Sequence, residues 1–389
     1  MDKINNLQHT EKLDHKKIFF VDIISLLMGF TGGLLVYTTS TYFKNVLGST
    51  NIGWTFLIAN IIILITLFNI HKLARITGKE TLFHLLIVCK ISLFIALVLL
   101  FGHISGTILL ILYIVFEALS WAILKMILES HATDSESGRI YGFNLTVTNI
   151  GLILAPIAAT QLLGQSGFTG IFYLSLILNI TIFIIAFFTL KQSPTEPQKQ
   201  MNYVGLLRKL KKRPDIVQIF SISFALEFFF AIMVIYTPLY LISNGFTWGE
   251  IGVIFTVMLI PFIIIQYPVG LLADKKLGEK ELLFFSFVLI AISSTFLYFS
   301  GNATMMTIMI ILFVSRIGAA FIGILRLSYF YKRIDKTDTD MIAFFQTARP
   351  FAFIIAPAIA GILLVYFQMN TVFILITIVA SVALYPVYK

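Results

Sequence analysis

Long, nearly uncharged apolar runs recur about a dozen times along this chain, and nothing else in the sequence restricts its fold as strongly. A helix needs about 20 mostly apolar residues to cross the hydrocarbon core of a bilayer. Segments meeting that requirement are predicted at 18–43, 52–70, 82–101, 106–128, 140–163 and 168–190, then at 216–242, 251–273, 282–300, 305–329, 341–367 and 371–388. Only 12% of the residues are charged and 58% are hydrophobic, against about 25% and 45–50% in soluble domains. Folded in water, such a chain would expose more apolar surface than a soluble monomer tolerates. The sequence therefore predicts an all-α integral membrane protein of twelve transmembrane helices.

The polar residues set the topology. The first apolar run starts at Ile18, is too long for a signal-peptide core and has no small-residue cleavage site behind it. Lys72, Arg75 and Lys79, then Lys125 and Arg139, then Lys275, Lys276 and Lys280, then Lys332, Arg333 and Lys336 fall on one side, with the 1–17 tail and the basic 191–215 stretch. The opposite loops hold only Lys44. Lys and Arg mark the cytoplasmic side, so both termini are expected there, in a plasma (inner) membrane. An even number of spans is required, which agrees with twelve. The net charge of +9 is spread over alternate loops, and no nucleic-acid partner is expected. The single cysteine, Cys89, lies in an apolar run and can form neither an intrachain disulfide nor a metal cluster. No cofactor or metal is expected, and the expected partners are the lipid bilayer and a small-molecule substrate bound to a monomer.

The chain repeats itself. Gly78 and Gly278 lie 200 positions apart within similar stretches, and Ala155-Pro156 matches Ala356-Pro357 at 201. Ile52-Gly53 likewise matches Ile251-Gly252. An offset spanning six helices preserves the in/out direction, so the halves are parallel repeats about an axis along the membrane normal, an arrangement that places a transporter's substrate site at mid-depth between them. The predicted organisation is a 1–17 tail, a six-helix bundle at 18–190, a cytoplasmic linker at 191–215 and a second bundle at 216–389.

These residues resemble the major facilitator superfamily. The loop Gly270-Leu-Leu-Ala-Asp274-Lys-Lys-Leu-Gly278-Glu-Lys280 is similar to the family's signature loop, with one extra residue between Asp274 and Gly278. Its first-half counterpart, Lys72-Leu-Ala-Arg75-Ile-Thr-Gly78-Lys79, carries Arg75 where the family has an aspartate. In span five, Gly151-Leu-Ile-Leu-Ala155-Pro156 resembles the Gly/Pro motif associated with antiporters, with Ala155 replacing a glycine. The resemblance implies a cytoplasmic gate in which Asp274 meets Arg139. By pseudo-symmetry, Arg75 meets the acidic cluster holding Asp338 and Asp340, with the charges reversed. Pro156 and Pro357, with Gly151, are expected at kinks or close helix contacts.

Ionisable residues inside spans are costly and are functional candidates by default. Glu117, Glu227, Arg316 and Arg349 fall roughly halfway through spans four, seven, ten and eleven by counting helical rise. In the resembled family, spans one, four, seven and ten line the central cavity. Glu117 and Arg316 are 199 positions apart, so the repeat puts opposite charges at equivalent sites. Tyr113, Glu117, Ser120, Trp121 and Lys125 share one face of span four. The acids can either exchange a proton when desolvated or stay ionised by pairing with Arg316 or Arg349. Lys90 is expected to snorkel or find a local partner, and Arg326 to reach the cytoplasmic interface.

The expected function is secondary transport of a small organic solute by alternating access, coupled to protons and in the export direction. Uptake or lipid flipping on the same fold is the alternative, with a polytopic membrane enzyme further off. An enzyme would need a nucleophile with its base, paired surface carboxylates or metal-spaced histidines, and His131 and Asp134 have no evident partners.

Overall fold

The computed structural model describes residues 15–49, 51–100, 104–130, 137–190, 210–265, 279–331, 333–334 and 339–388. In the first half the helices are α1 (His15–Val36), α2 (Thr39–Leu47), α3 (Gly53–Thr77), α4 (Lys79–Leu99), α5 (Ile104–Glu129) and α6 (Ser137–Thr189). In the second they are α7 (Pro214–Ser243), α8 (Trp248–Leu259), α9 (Pro261–Ile264), α10 (Glu279–Tyr298), α11 (Met305–Tyr331), α12 (Thr339–Gln346), α13 (Ala348–Tyr366) and α14 (Val372–Tyr388). Ten segments are long and apolar enough to cross a membrane, and Trp248–Ile264 is a shorter apolar one. One of the ten, within α6, is two crossings joined where Gly167 leaves helical geometry at φ 65 and ψ −157. The described residues thus supply twelve crossings, and the chain is a multi-pass membrane protein. The sequence-predicted end of span eight, beyond residue 265, lies outside the described residues.

Local chemistry explains the joints. Gly167 turns α6 back through a positive φ that residues with a Cβ rarely adopt. Gly78 alone separates α3 from α4, at φ 84. Thr247 caps α8 with a reciprocal box, its backbone N–H donating to the Glu250 carboxylate while its hydroxyl accepts from the Glu250 N–H. Large apolar side chains stay exposed on the outer faces, among them Leu99, Phe188 and Val382 at 75%, 72% and 66%. In lipid such exposure costs nothing, because acyl chains are as apolar as leucine.

The packing repeats in the two halves. In the first, α1 packs on α6, α3 on α5, and α4 on α5 and α6. In the second, α7 packs on α13, α8 on α11, and α10 on α11 and α14. Each pair has its counterpart one half-chain on, as two bundles related by a pseudo-two-fold axis require. The halves meet through α6 against α8 and α3 against α13, which are again a symmetry pair. One buried apolar cluster runs through both halves and includes Leu34, Tyr37, Tyr236 and Phe255.

Without a hydrophobic drive between helices in lipid, close approach has to come from small residues. A Cβ at Gly151 would lie 2.8 Å from the Phe30 nitrogen of α1, and one at Gly33 would lie 2.5 Å from the Ala155 Cβ. Between the halves, a Cβ at Gly53 would lie 2.5 Å from the Pro357 carbonyl oxygen, and Gly252 faces the Thr160 hydroxyl and Pro156 carbonyl. The matched glycines and prolines of the repeat are therefore one another's neighbours. The contacts between the halves lie toward the membrane end opposite the start of α1, which we call the far end.

Candidate functional site

Glu117 sits halfway along α5, with its side chain 14% exposed. Lys90, reaching in from α4 and fully buried, donates to one carboxylate oxygen at 2.8 Å. The Trp121 indole N–H, one turn on, donates to the other at 2.9 Å. Tyr113, one turn back, lies within electrostatic reach of the same carboxylate and is 3% exposed. Room for the cluster comes from α1, where a Cβ at Gly32 would lie 3.3 Å from a Glu117 oxygen. Of the predicted stripe on span four, Tyr113 and Trp121 converge on Glu117, whereas the Ser120 hydroxyl donates back to the Phe116 carbonyl and Lys125 lies among Glu129, Glu227, Arg326 and Arg349. The cation of Glu117, however, is Lys90 of the same half rather than Arg316 or Arg349, because α4 packs directly on α5.

Arg316 is the largest fully buried side chain among the described residues, at 1% exposure. Its guanidinium carbon lies 4.8 Å from the centre of the Phe229 ring on α7. The Tyr37 hydroxyl, at the break between α1 and α2, stands beside it, and the Tyr37 ring meets Phe255 of α8 at 4.6 Å. Arg316 is thus held at the seam between the halves. Sequence reasoning missed Tyr37, and a tyrosine next to a Thr-Thr pair at the end of a glycine-rich span was the available signal.

Glu227 of α7 pairs with Arg326 of α11 at 2.8 Å. Arg326 also donates to the Ser223 hydroxyl at 2.7 Å. Arg326 therefore turns into the bundle instead of reaching the interface, because Ser223 and Glu227, one turn apart, offer acceptors on a single face. The exposed Lys125 lies within electrostatic reach of Glu227, Arg326, Glu129 and Arg349. Arg349 is exposed, 5.3 Å from the centre of the Phe353 ring, and so stands apart from the two buried pairs. Breaking a buried pair leaves one charge uncompensated, at a cost of about 3–5 kcal/mol. Arg326→Gln should lose about that much stability, and Arg326→Gln with Glu227→Gln should recover most of it, in denaturant titrations of the purified protein. Additive losses in the double variant would mean the two groups are not coupled.

A third polar contact joins α1 to α6. The Asn144 amide donates to Asp22 at 2.8 Å and to Ser25 at 2.9 Å, and Asp22 is buried. Of the gate residues named from sequence, Gly270, Asp274, Gly278 and Asp338 lie outside the described residues. Arg139 and Asp340 are on described helices, but their side chains are outside the description. Arg75 is exposed in the last turn of α3. Among the described residues no group of three or more potential metal ligands occurs.

The chain matches the family model described as Major Facilitator Superfamily over residues 21–339 and again over 243–388. Among solved structures it is similar to the nucleoside transporter NupG in a mutant form, with TM-score 0.76 and 15% identity, covering 96% of this chain and 99% of that one. It is also similar to a bacterial homolog of the human lysosomal transporter Spinster in an inward-facing, unoccupied conformation, with TM-score 0.74 and 10% identity, covering 96% and 95%. No curated protein matches at the level of sequence.

Proposed function

The chain belongs to the major facilitator superfamily, and on that premise we propose that it is a secondary active transporter moving a small organic solute by alternating access, coupled to protons and in the export direction. The observation that carries the reading is the seam at mid-depth. There, Arg316 of one half lies against Tyr37 of the other, with the Glu117 cluster at the repeat-equivalent depth. Membrane-embedded charges kept at the interface of two packed halves are what a solute and its coupling ion can use.

In this proposal residues 18–190 and 216–389 are the two moving bundles, 191–215 is the cytoplasmic linker, and the protein lies in the plasma (inner) membrane with both termini in the cytoplasm. The far end, where Gly53 and Gly252 interlock the halves, is then extracellular. Lys125 and Arg349 line the approach from the cytoplasm. Asp274 with Arg139, and Arg75 with the cluster of Asp338 and Asp340, are the charges proposed to close that approach in the opposite conformation. Export is favoured by the likeness of the Gly151–Pro156 stretch to an antiporter motif. Transport rather than catalysis fits the family.

Glu117 is the proposed coupling carboxylate, since it alone of its cluster combines partial exposure with an acid's ability to hold a proton. The test is internal pH in sealed proteoliposomes, challenged with metabolites, organic anions and amphipathic cations. Wild type should show solute-dependent proton movement, with at least a tenfold drop in Glu117→Gln. Undiminished proton flux in the variant would remove Glu117 from coupling, and the sign of the pH change separates export by antiport from uptake by symport.

A further inference from the structure

Arg316 is a buried mid-depth charge with no ion-pair partner among the described residues. It is 1% exposed, yet its Nη1 and Nη2 have no hydrogen-bond acceptor among the described residues. Among the described residues no carboxylate pairs with it: the ion pairs there are Lys90–Glu117, Arg213–Asp215 and Arg326–Glu227. An arginine cannot escape by losing its proton, because a guanidinium stays charged in proteins. Phe229 and Tyr37 supply a ring face and a hydroxyl, and neither neutralises a cation. The contrast with its repeat partner is informative. Glu117 is already neutralised within its own half by Lys90, so a cationic solute would meet an occupied carboxylate.

We propose that the solute carries an oxyanion, a carboxylate or a phosphate-type group, that seats on Nη1 and Nη2 of Arg316, with an apolar or aromatic body against Phe229 and Phe255. A guanidinium presents its N–H donors in a fixed fork that matches two oxygens of such a group. The rings are in place, with Phe255 tilted against Tyr37 at 4.6 Å between ring centres and Phe229 facing the guanidinium at 4.8 Å. Near the approach, Lys125, Arg349 and Arg326 outnumber the neighbouring Glu129 and Glu227, an excess of positive charge that favours anions. This inference takes its word "solute" from the transporter reading, but the binding site is testable without transport.

The experiment measures thermal unfolding of the purified full chain in detergent, with phenylacetate, phenylphosphonate or the neutral phenylacetamide added in increasing amounts. One or both anions should raise the melting temperature of wild type while the amide leaves it unchanged, and which anion acts identifies the oxyanion. In Arg316→Gln the apparent affinity should fall about 100-fold, the scale for losing one partner of a buried charge pair. Arg316→Lys, which keeps the charge but loses the fork, should fall between the two and carries the test if the glutamine variant does not fold. The proposal is overturned if the amide acts as strongly as the anions, if the anion effect survives in Arg316→Gln, or if none of the three probes shifts wild type. Anion binding without solute movement in proteoliposomes would count against the transporter reading and leave the Arg316 site standing.

Discussion

Lys90→Leu is expected to destabilise the folded protein by about 3–5 kcal/mol, as breakage of a largely buried ion pair does when one partner is removed. Lys90 has no exposed side-chain surface, and Glu117 has 14%. After the substitution, the carboxylate keeps the Trp121 N–H at 2.9 Å and loses the one cation paired with it among the described residues. Two outcomes follow for Glu117: it takes up a proton or it pulls water into the bundle, and both weaken the native state. Lys90→Leu with Glu117→Leu removes both charges, and an apolar replacement of a buried pair is often neutral. The double variant should therefore be more stable than Lys90→Leu alone while lacking proton-coupled transport. A denaturant titration of wild type, Lys90→Leu, Glu117→Leu and the double variant in mixed micelles gives the coupling energy directly. A Lys90→Leu protein within about 1 kcal/mol of wild type would show that the pair is not a structural tie.

Depth and partnership were not equally legible. Helical rise placed Glu117 and Arg316 halfway through their spans from residue counts alone, and the 199-position offset linked them. The i, i+4 rule found Trp121 as a neighbour of Glu117 within one helix. What the sequence does not encode locally is which neighbouring helix a face meets. Lys90 falls on a helix that the family resemblance makes peripheral, so nothing in its own span identified Glu117 as the partner. Arg326 misled for a different reason: four rotatable side-chain bonds allow it to point either to the membrane surface or inward. Two acceptors on α7, 103 and 99 positions away in sequence, decide between them. The repeat likewise exposed Ile-Gly and Ala-Pro as matched pairs without revealing that the glycine of each half packs on the proline turn of the other.

That reciprocal packing gives the second large effect. Gly53→Ala adds a Cβ that would lie 2.5 Å from the Pro357 carbonyl oxygen and 2.8 Å from the Tyr236 hydroxyl. The carbonyl is backbone and cannot swing aside, so α3 and α13 have to separate. At Gly252 the nearest group is the Thr160 hydroxyl, which already bonds back to the Pro156 carbonyl at 2.8 Å and can rotate at the cost of that bond. Gly53→Ala should thus exceed Gly252→Ala. Overpacking costs about 1–3 kcal/mol per site, so the pair together disfavours closure of the far end by about 2–6 kcal/mol, a shift in the conformational equilibrium of roughly 30-fold to 10⁴-fold. Ser40, fully buried in α2 at that end, reports the change. In a Cys89→Ser background, Ser40→Cys should react with an impermeant maleimide at least ten times faster when both glycines are replaced, and net transport should fall in parallel. If both glycines only pack helices, the protein will lose stability with Ser40→Cys still protected. If they set the closed state, accessibility rises while the folded fraction holds, because the strain is relieved by opening and not by unfolding.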